Sequence, residues 1–180
     1  MPAAAWHRLR ERLERFQRPR APEPLPVRVD RRRISVLPTR FGLFYTLLVL
    51  AMVLGALNYN NNPALLLALL LGAAGLASLI AAHLQLSGLQ VDALSAEPVP
   101  AGAALGLRVA LSALDGRQRR GLRGELGPAS GWAGIGADGH GELALSLPTH
   151  RRGWLEPGRL RLSTTQPLGL ARAWSLAWPQ

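Results

Sequence analysis

Hydrophobic and polar positions divide the chain into three unlike stretches. From Phe41 to Gln90 there is no Asp, Glu, Lys or Arg. Inside that stretch two runs are apolar on every face, Phe41 to Leu57 (FGLFYTLLVLAMVLGAL) and Pro63 to Leu84 (PALLLALLLGAAGLASLIAAHL). Neither carries the one-sided stripe of a surface helix. The first run spans roughly 25 Å as a helix, close to the thickness of a hydrocarbon core. The nine Leu of the second favour insertion by roughly 3 to 5 kcal/mol. A chain of 180 residues has too little other material to wrap two such helices as a soluble core. The pattern predicts a transmembrane α-helical hairpin over residues 41-86, with spans 41-57 and 63-84. Asn58, Tyr59, Asn60, Asn61 and Asn62 form the turn, and Pro63 suits the first position of a helix.

After the hairpin the period changes from helical to two. Leu105, Leu107, Val109 and Leu111 alternate with small or polar residues, as do Leu143, Leu145 and Leu147. Strands are expected at Leu89 to Leu94, Ala104 to Ala113, Gly121 to Leu126, Gly141 to Leu147 and Arg159 to Thr164, each bounded by Gly, Pro or Asp-Gly. Several short strands in about ninety residues fit a small all-β, immunoglobulin-like sandwich over 87-180. Before the hairpin, Trp6, Leu9, Leu13 and Phe16 recur at spacings of three and four, while His7, Arg8, Arg10, Arg12 and Arg15 take the other faces. That pattern predicts a short basic amphipathic helix within a basic, partly disordered N-terminal arm, 1-40.

Charge adds direction to this outline. All 21 basic residues are Arg, and eleven of them fall between Met1 and Arg40 against four acids. Arg31, Arg32, Arg33 and Arg40 immediately precede the first apolar run, and the inter-helix turn is uncharged. Positive-inside bias therefore places the N-terminus in the cytoplasm, and two crossings return the chain there. The expected location is a bacterial inner (cell) membrane, multi-pass, with both termini cytoplasmic and the asparagine turn periplasmic. The arm suits an anionic leaflet, with Trp6, Leu9, Leu13 and Phe16 at headgroup depth and Arg8 and Arg12 toward phosphates. The basic cluster abuts a membrane helix and lacks any finger, RNP or helix-turn-helix pattern, so no nucleic-acid partner is expected.

Candidate chemistry is sparse. Absence of Cys excludes disulfides, thiolate nucleophiles and Cys-based metal sites. Gly134 to Gly139 spells G-x-G-x-x-G without a helix pattern after it, and reads as a turn. Asp115-Gly116 and Asp138-Gly139 read as loop tips, and Arg117, Arg119, Arg120 and Arg123 as a solvated face, with contact to lipid headgroups or a partner as the alternative. His83 reads as an interfacial residue. His140, His150, Asp138 and Glu142 have neither ligand spacing nor a nucleophile beside them. No enzyme, metal or cofactor is therefore expected. Ala51 and Gly55 on the first helix, and Ala68/Gly72 and Ala74/Ser78/Ala82 on the second, form small-xxx-small rows that permit close helix packing. Such rows serve the hairpin itself or a homo-oligomer.

The string LPTRFGLFY (Leu37 to Tyr45) and the segment LGALNYNNNPALLLALLLGAAGLASL (Leu54 to Leu79) resemble the start of the bacterial domain-of-unknown-function 58 membrane protein family. LSGLQV (Leu86 to Val91), Arg151-Arg152-Gly153-Trp154 and TTQPLGL (Thr164 to Leu170) follow in the family's order, with Gln166 where the family has Asp. The resemblance covers about residues 34 to 178. It implies a membrane-tethered cytoplasmic protein associated with a MoxR-like AAA+ ATPase and a transglutaminase-like membrane protein, with no established enzymatic activity. The family's downstream von Willebrand factor A-like half, with its R-x-Y-x-x-G-D motif, would begin just past Gln180. The expected function is thus a non-enzymatic inner-membrane anchor and interaction module. The alternative is a lipid-binding membrane assembly factor acting through the basic arm.

Overall fold

In a computed structural model of the chain, which describes residues 22–156 and 158–179, the two apolar runs form helices α1 (Arg40–Asn58) and α2 (Asn62–Leu86). Side chains cap both starts. Thr39 Oγ1 accepts from the Gly42 N–H at 3.0 Å, and Asn61 Oδ1 accepts from the Ala64 N–H at 3.1 Å. These bonds satisfy amides that an unflanked helix leaves orphaned. Only Tyr59, Asn60 and Asn61 connect the helices; Asn60 takes the left-handed φ of 51° that Asn tolerates, and the Asn61 N–H returns to the Ala56 carbonyl at 2.9 Å. Both helices are long and apolar enough to cross a membrane, and only 11% of each apolar window is buried.

The remaining strands are β1 (Val27–Arg28), β2 (Ser35–Pro38), β3 (Leu89–Ala96), β4 (Ala104–Ala113), β5 (Arg119–Leu126), β6 (Ala129–Ile135), β7 (His140–Pro148), β8 (Leu160–Thr164) and β9 (Ala171–Ala177). They make a four-stranded sheet, β1-β3-β4-β7, and a five-stranded sheet, β2-β9-β8-β5-β6. Every pairing between named strands is antiparallel. Between the sheets lies one hydrophobic core. Leu107 pairs with Leu145 and Val109 with Leu143 across β4 and β7, all four buried, and Leu122, Leu126, Leu160 and Leu162 face them from the other sheet. Period-two alternation produces this directly, since every second residue of β4 and β7 points inward.

Part of the arm differs from expectation. Residues 22–38 are built into both sheets: β1 pairs with β3, and β2 pairs with β9 along Ser35↔Trp174 to Pro38↔Ala171. Arg31–Arg33 form a 3-10 turn that carries the chain from one sheet edge to the other. Pro and Arg mask a strand signal in this stretch, and pairing partners far along the chain override them. Trp6, Arg8, Leu9, Arg12, Leu13 and Phe16, the expected amphipathic helix, lie outside the described residues. The β domain also holds β6 and β9, which the alternation did not signal.

The hairpin is seated in the β domain rather than hung from it. Ala82 and Leu86, in the last two turns of α2, belong to the same buried cluster as the sheet residues, and Leu86 is fully buried. Burying one Leu contributes about 1.5–3 kcal/mol. Helix-to-strand connections are minimal, Thr39 alone between β2 and α1, and Ser87 and Gly88 between α2 and β3. Gly88 has φ +78°, so the chain can leave the helix in a left-handed turn that a side chain would strain.

Candidate functional site: the junction of hairpin and β domain

Two anchor points hold the base of the hairpin. At the first, the Thr39 N–H donates to the Leu170 carbonyl at 2.9 Å and its hydroxyl donates to the Gly169 carbonyl at 2.6 Å. The turn after β8 is thereby tied to the first turn of α1. Gly42 lies under this turn so closely that a Cβ built on it would come within 1.9 Å of the Leu170 oxygen. Leu170 is buried, and its side chain reaches toward Gly75 of α2. The strings Leu37 to Tyr45 and Thr164 to Leu170, remote in sequence, thus meet in space.

At the second anchor, the Ser87 carbonyl accepts from Nη2 of Arg119 at 3.2 Å, and the Ser87 hydroxyl accepts from Nε of Arg31 at 3.1 Å. Two guanidinium groups therefore meet the C-terminal end of α2, where unpaired carbonyls concentrate negative potential. Arg119 is buried, with 3% of its side chain exposed, and the same Nη2 lies 2.8 and 2.6 Å from the two Asp115 carboxylate oxygens. Partial burial pushes the Asp115 carboxyl up. Hydrogen bonds from Arg119 and from the Arg117 amide, together with both guanidinium charges, outweigh that and hold it below the usual carboxylate range.

Arg119 corrects the expectation of a solvated arginine face. Arg117 and Arg120 are exposed, and Arg123 lies 5.8 Å from the Trp132 ring centre and pairs with Glu125 at 3.1 Å. Arg119 alone of the four turns inward. Asp115 four residues earlier is the sequence signal for it, but only the tertiary position of Ser87 gives the guanidinium its third partner.

Within the hairpin, the contact seam runs through Tyr45 and Val49 on α1 and through Gly72 and Gly75 on α2; Ser78, a turn further on, is also buried. The Tyr45 hydroxyl donates to the Leu71 carbonyl at 2.7 Å, and Val49 lies 3.7 Å from a Cβ built on Gly72. Ala68 is fully buried. Ala51 is exposed, and nothing lies within 4 Å of a Cβ built on Gly55, so this row of α1 faces away from α2. Asn58, Tyr59, Asn60, Asn61 and Asn62 all lie exposed at the far tip. His83 is half-buried in the last turns of α2.

Two depressions stand out among the described residues. One, of about 290 Å³, is an apolar groove between the helices at the junction, lined by Gly42, Tyr45, Gly75, Leu79 and Leu170. The other, of about 1090 Å³, opens at the opposite end of the β domain among Pro98, Pro100, His150, Arg151, Arg152 and Trp154. Trp154 is fully exposed there. Gly134 to Gly139 spans the end of β6 and its turn into β7, where the Gly136 N–H donates to the His140 carbonyl. Among the described residues no three His, Asp or Glu gather as a metal site. No family model, no curated protein and no solved structure matches the chain.

Proposed function

We propose that the protein is an inner-membrane anchor and interaction module: α1 and α2 cross the bilayer, and a small immunoglobulin-like sandwich stands at its cytoplasmic face. One observation carries this reading. The two helices leave their apolar sides almost wholly uncovered, yet their bases are fastened into the β domain by Thr39, Leu170, Arg119 and Ser87. Hydrocarbon is the environment that such uncovered helices need, and a fixed base transmits position from membrane to domain. The arginines before α1 favour cytoplasmic termini.

The resemblance to the domain-of-unknown-function 58 family supplies the partner class, a MoxR-like AAA+ ATPase and an associated transglutaminase-like membrane protein. The meeting of the two resembling strings at Thr39 and Gly169 supports treating them as one unit. The groove around Arg151, Arg152 and Trp154 faces away from the hairpin and is the surface such a partner would reach. No catalytic role is proposed.

Reporter fusions after Leu94 test the topology. A cytoplasmic reporter is expected to be active there, and alkaline phosphatase inactive; the opposite pair of signals would sink the reading. The partner is tested by co-purification with the ATPase, which is expected to be lost in the Arg151→Ser, Arg152→Ser, Trp154→Ala triple variant and kept in the parent chain.

A further inference from the structure

We propose that the hairpin-side end of the β domain is itself a lipid-binding surface, with Leu114 and Leu168 dipping into the anionic headgroup layer and arginines gripping its phosphates. The inference rests on the anchor reading and adds a second membrane contact to it.

Connectivity constrains the geometry first. One residue separates β2 from α1 and two separate α2 from β3, so at about 3.5 Å per residue the β domain cannot stand more than about 7 Å off the helix ends. The headgroup layer is itself about 5–8 Å deep on each side. Loops at this end therefore lie in that layer or against it.

Two of those loops display leucine. Leu114 directly follows β4, with its N–H bonded to the Gly88 carbonyl just past α2, and its side chain is 56% exposed. Leu168 sits two residues before Leu170, the residue packed on Gly42 of α1, and is 52% exposed. Single exposed leucines are ordinary on a water-facing surface. These two flank the hairpin at the bases of different helices, among exposed Arg31, Arg40, Arg117 and Arg120. Asp115, the acid between Leu114 and Arg117, already has its charge directed to Arg119. Exposed Asp30, beside Arg31, and Asp138, in the turn bonded to Ala113, lie at the same end, and the four exposed arginines outnumber them. Apolar tips on a net basic surface match the interface of an anionic leaflet, where each Arg favours binding about five-fold.

Because the chain has no Cys, single-cysteine variants can carry a polarity-sensitive dye in the full-length protein. Leu114→Cys, Leu168→Cys, Leu69→Cys on the exposed face of α2 and Ala101→Cys at the opposite end of the β domain would be reconstituted. The vesicles are phosphatidylcholine with or without phosphatidylglycerol, doped with headgroup-proximal or acyl-chain spin-labelled lipid. The expected result is acyl-chain quenching at Leu69→Cys in both lipids. At Leu114→Cys and Leu168→Cys, a blue shift and headgroup-proximal quenching should grow with phosphatidylglycerol, and Ala101→Cys should show neither. Adding Arg117→Ser and Arg120→Ser should lower the docked-to-undocked ratio at Leu114→Cys about five-fold per arginine. Quenching at Leu69→Cys with water-like emission at both loop positions would overturn this inference and leave the anchor intact. Absence of quenching at Leu69→Cys would overturn both.

Discussion

Arg119 donates to the backbone carbonyl of Ser87 at 3.2 Å, so a side chain at the start of β5 closes the C-terminal end of α2. Its charge is balanced there by Asp115, which keeps 37% of its own side chain in solvent while Arg119 keeps 3%. The two partners of this ion pair are therefore unequal in what their loss should do.

Asp115→Ala strips a buried guanidinium of its counter-charge and should cost about 3–5 kcal/mol. Arg119→Met leaves a half-exposed carboxylate that water can solvate and a carbonyl short of one donor, a loss of about 1–3 kcal/mol. Thermal melts of the detergent-solubilised protein should rank the two variants in that order. Equal melting temperatures would mean that burial does not govern the pair.

The same pair sets an acid limit. Asp115 has its folded pKa below the unfolded value of about 3.9. Above that value the carboxylate is ionised in both states and its stabilisation is complete; as pH falls through the depressed folded pKa, the unfolded chain binds the proton more readily and the stabilisation disappears. Melting temperature should thus decline below about pH 4, and Asp115→Asn should show a shallower decline over the same range.

Gly42 and Gly55 lie on one helix and should respond oppositely to Ala. At Gly42 the new methyl would overlap the Leu170 carbonyl oxygen, a backbone atom that moves only with its whole turn. Overpacking of this kind costs about 1–3 kcal/mol or more. At Gly55 the space is open, so Gly55→Ala should be neutral or stabilise by up to about 1 kcal/mol. Chemical denaturation of both variants in micelles measures the contrast.

Tyr45→Phe removes the hydroxyl bond to Leu71 and keeps the ring against Gly75. Inter-helix hydrogen bonds in apolar surroundings are worth about 0.6 kcal/mol on average and up to about 1.7. The variant should lose that much stability while retaining the hairpin's compact mobility on a denaturing gel, whereas Gly75→Leu should spread the helices.

Legibility followed the strength of local pattern. The uncharged run from Phe41 to Gln90 announces two helices because nothing in it offers an alternative, and β4 occupies Ala104–Ala113 as its alternation predicts. β6 (ASGWAGI) and β9 (ARAWSLA) are built from small residues whose burial depends on what lies across the core, so they carry little periodic signal of their own. β1 and β2 are further from local control, being short edge strands that exist because β3 and β9 pair with them. Arg119 was hidden by company: among three arginines that face outward or stack on Trp132, sequence alone does not distinguish the one beneath Ser87. The junction, like most sites made of residues from distant segments, was readable only as separate strings.

Thr39 and Gly169 are 130 residues apart, and that separation has a kinetic consequence. β2 must wait for β9, which follows it in the chain only after both helices and strands β3 to β8, and closing so long a loop is the slow, entropically costly step of non-local β pairing. The helices between them shorten the wait. Once α1 and α2 lie antiparallel, the chain has been returned to its starting side, and the span to be closed is the β domain alone. A hairpin that closes first would act as a folding clamp for the sheets, so variants that loosen it should slow the β2–β9 pairing phase in refolding kinetics; an unchanged refolding rate would sink this reading.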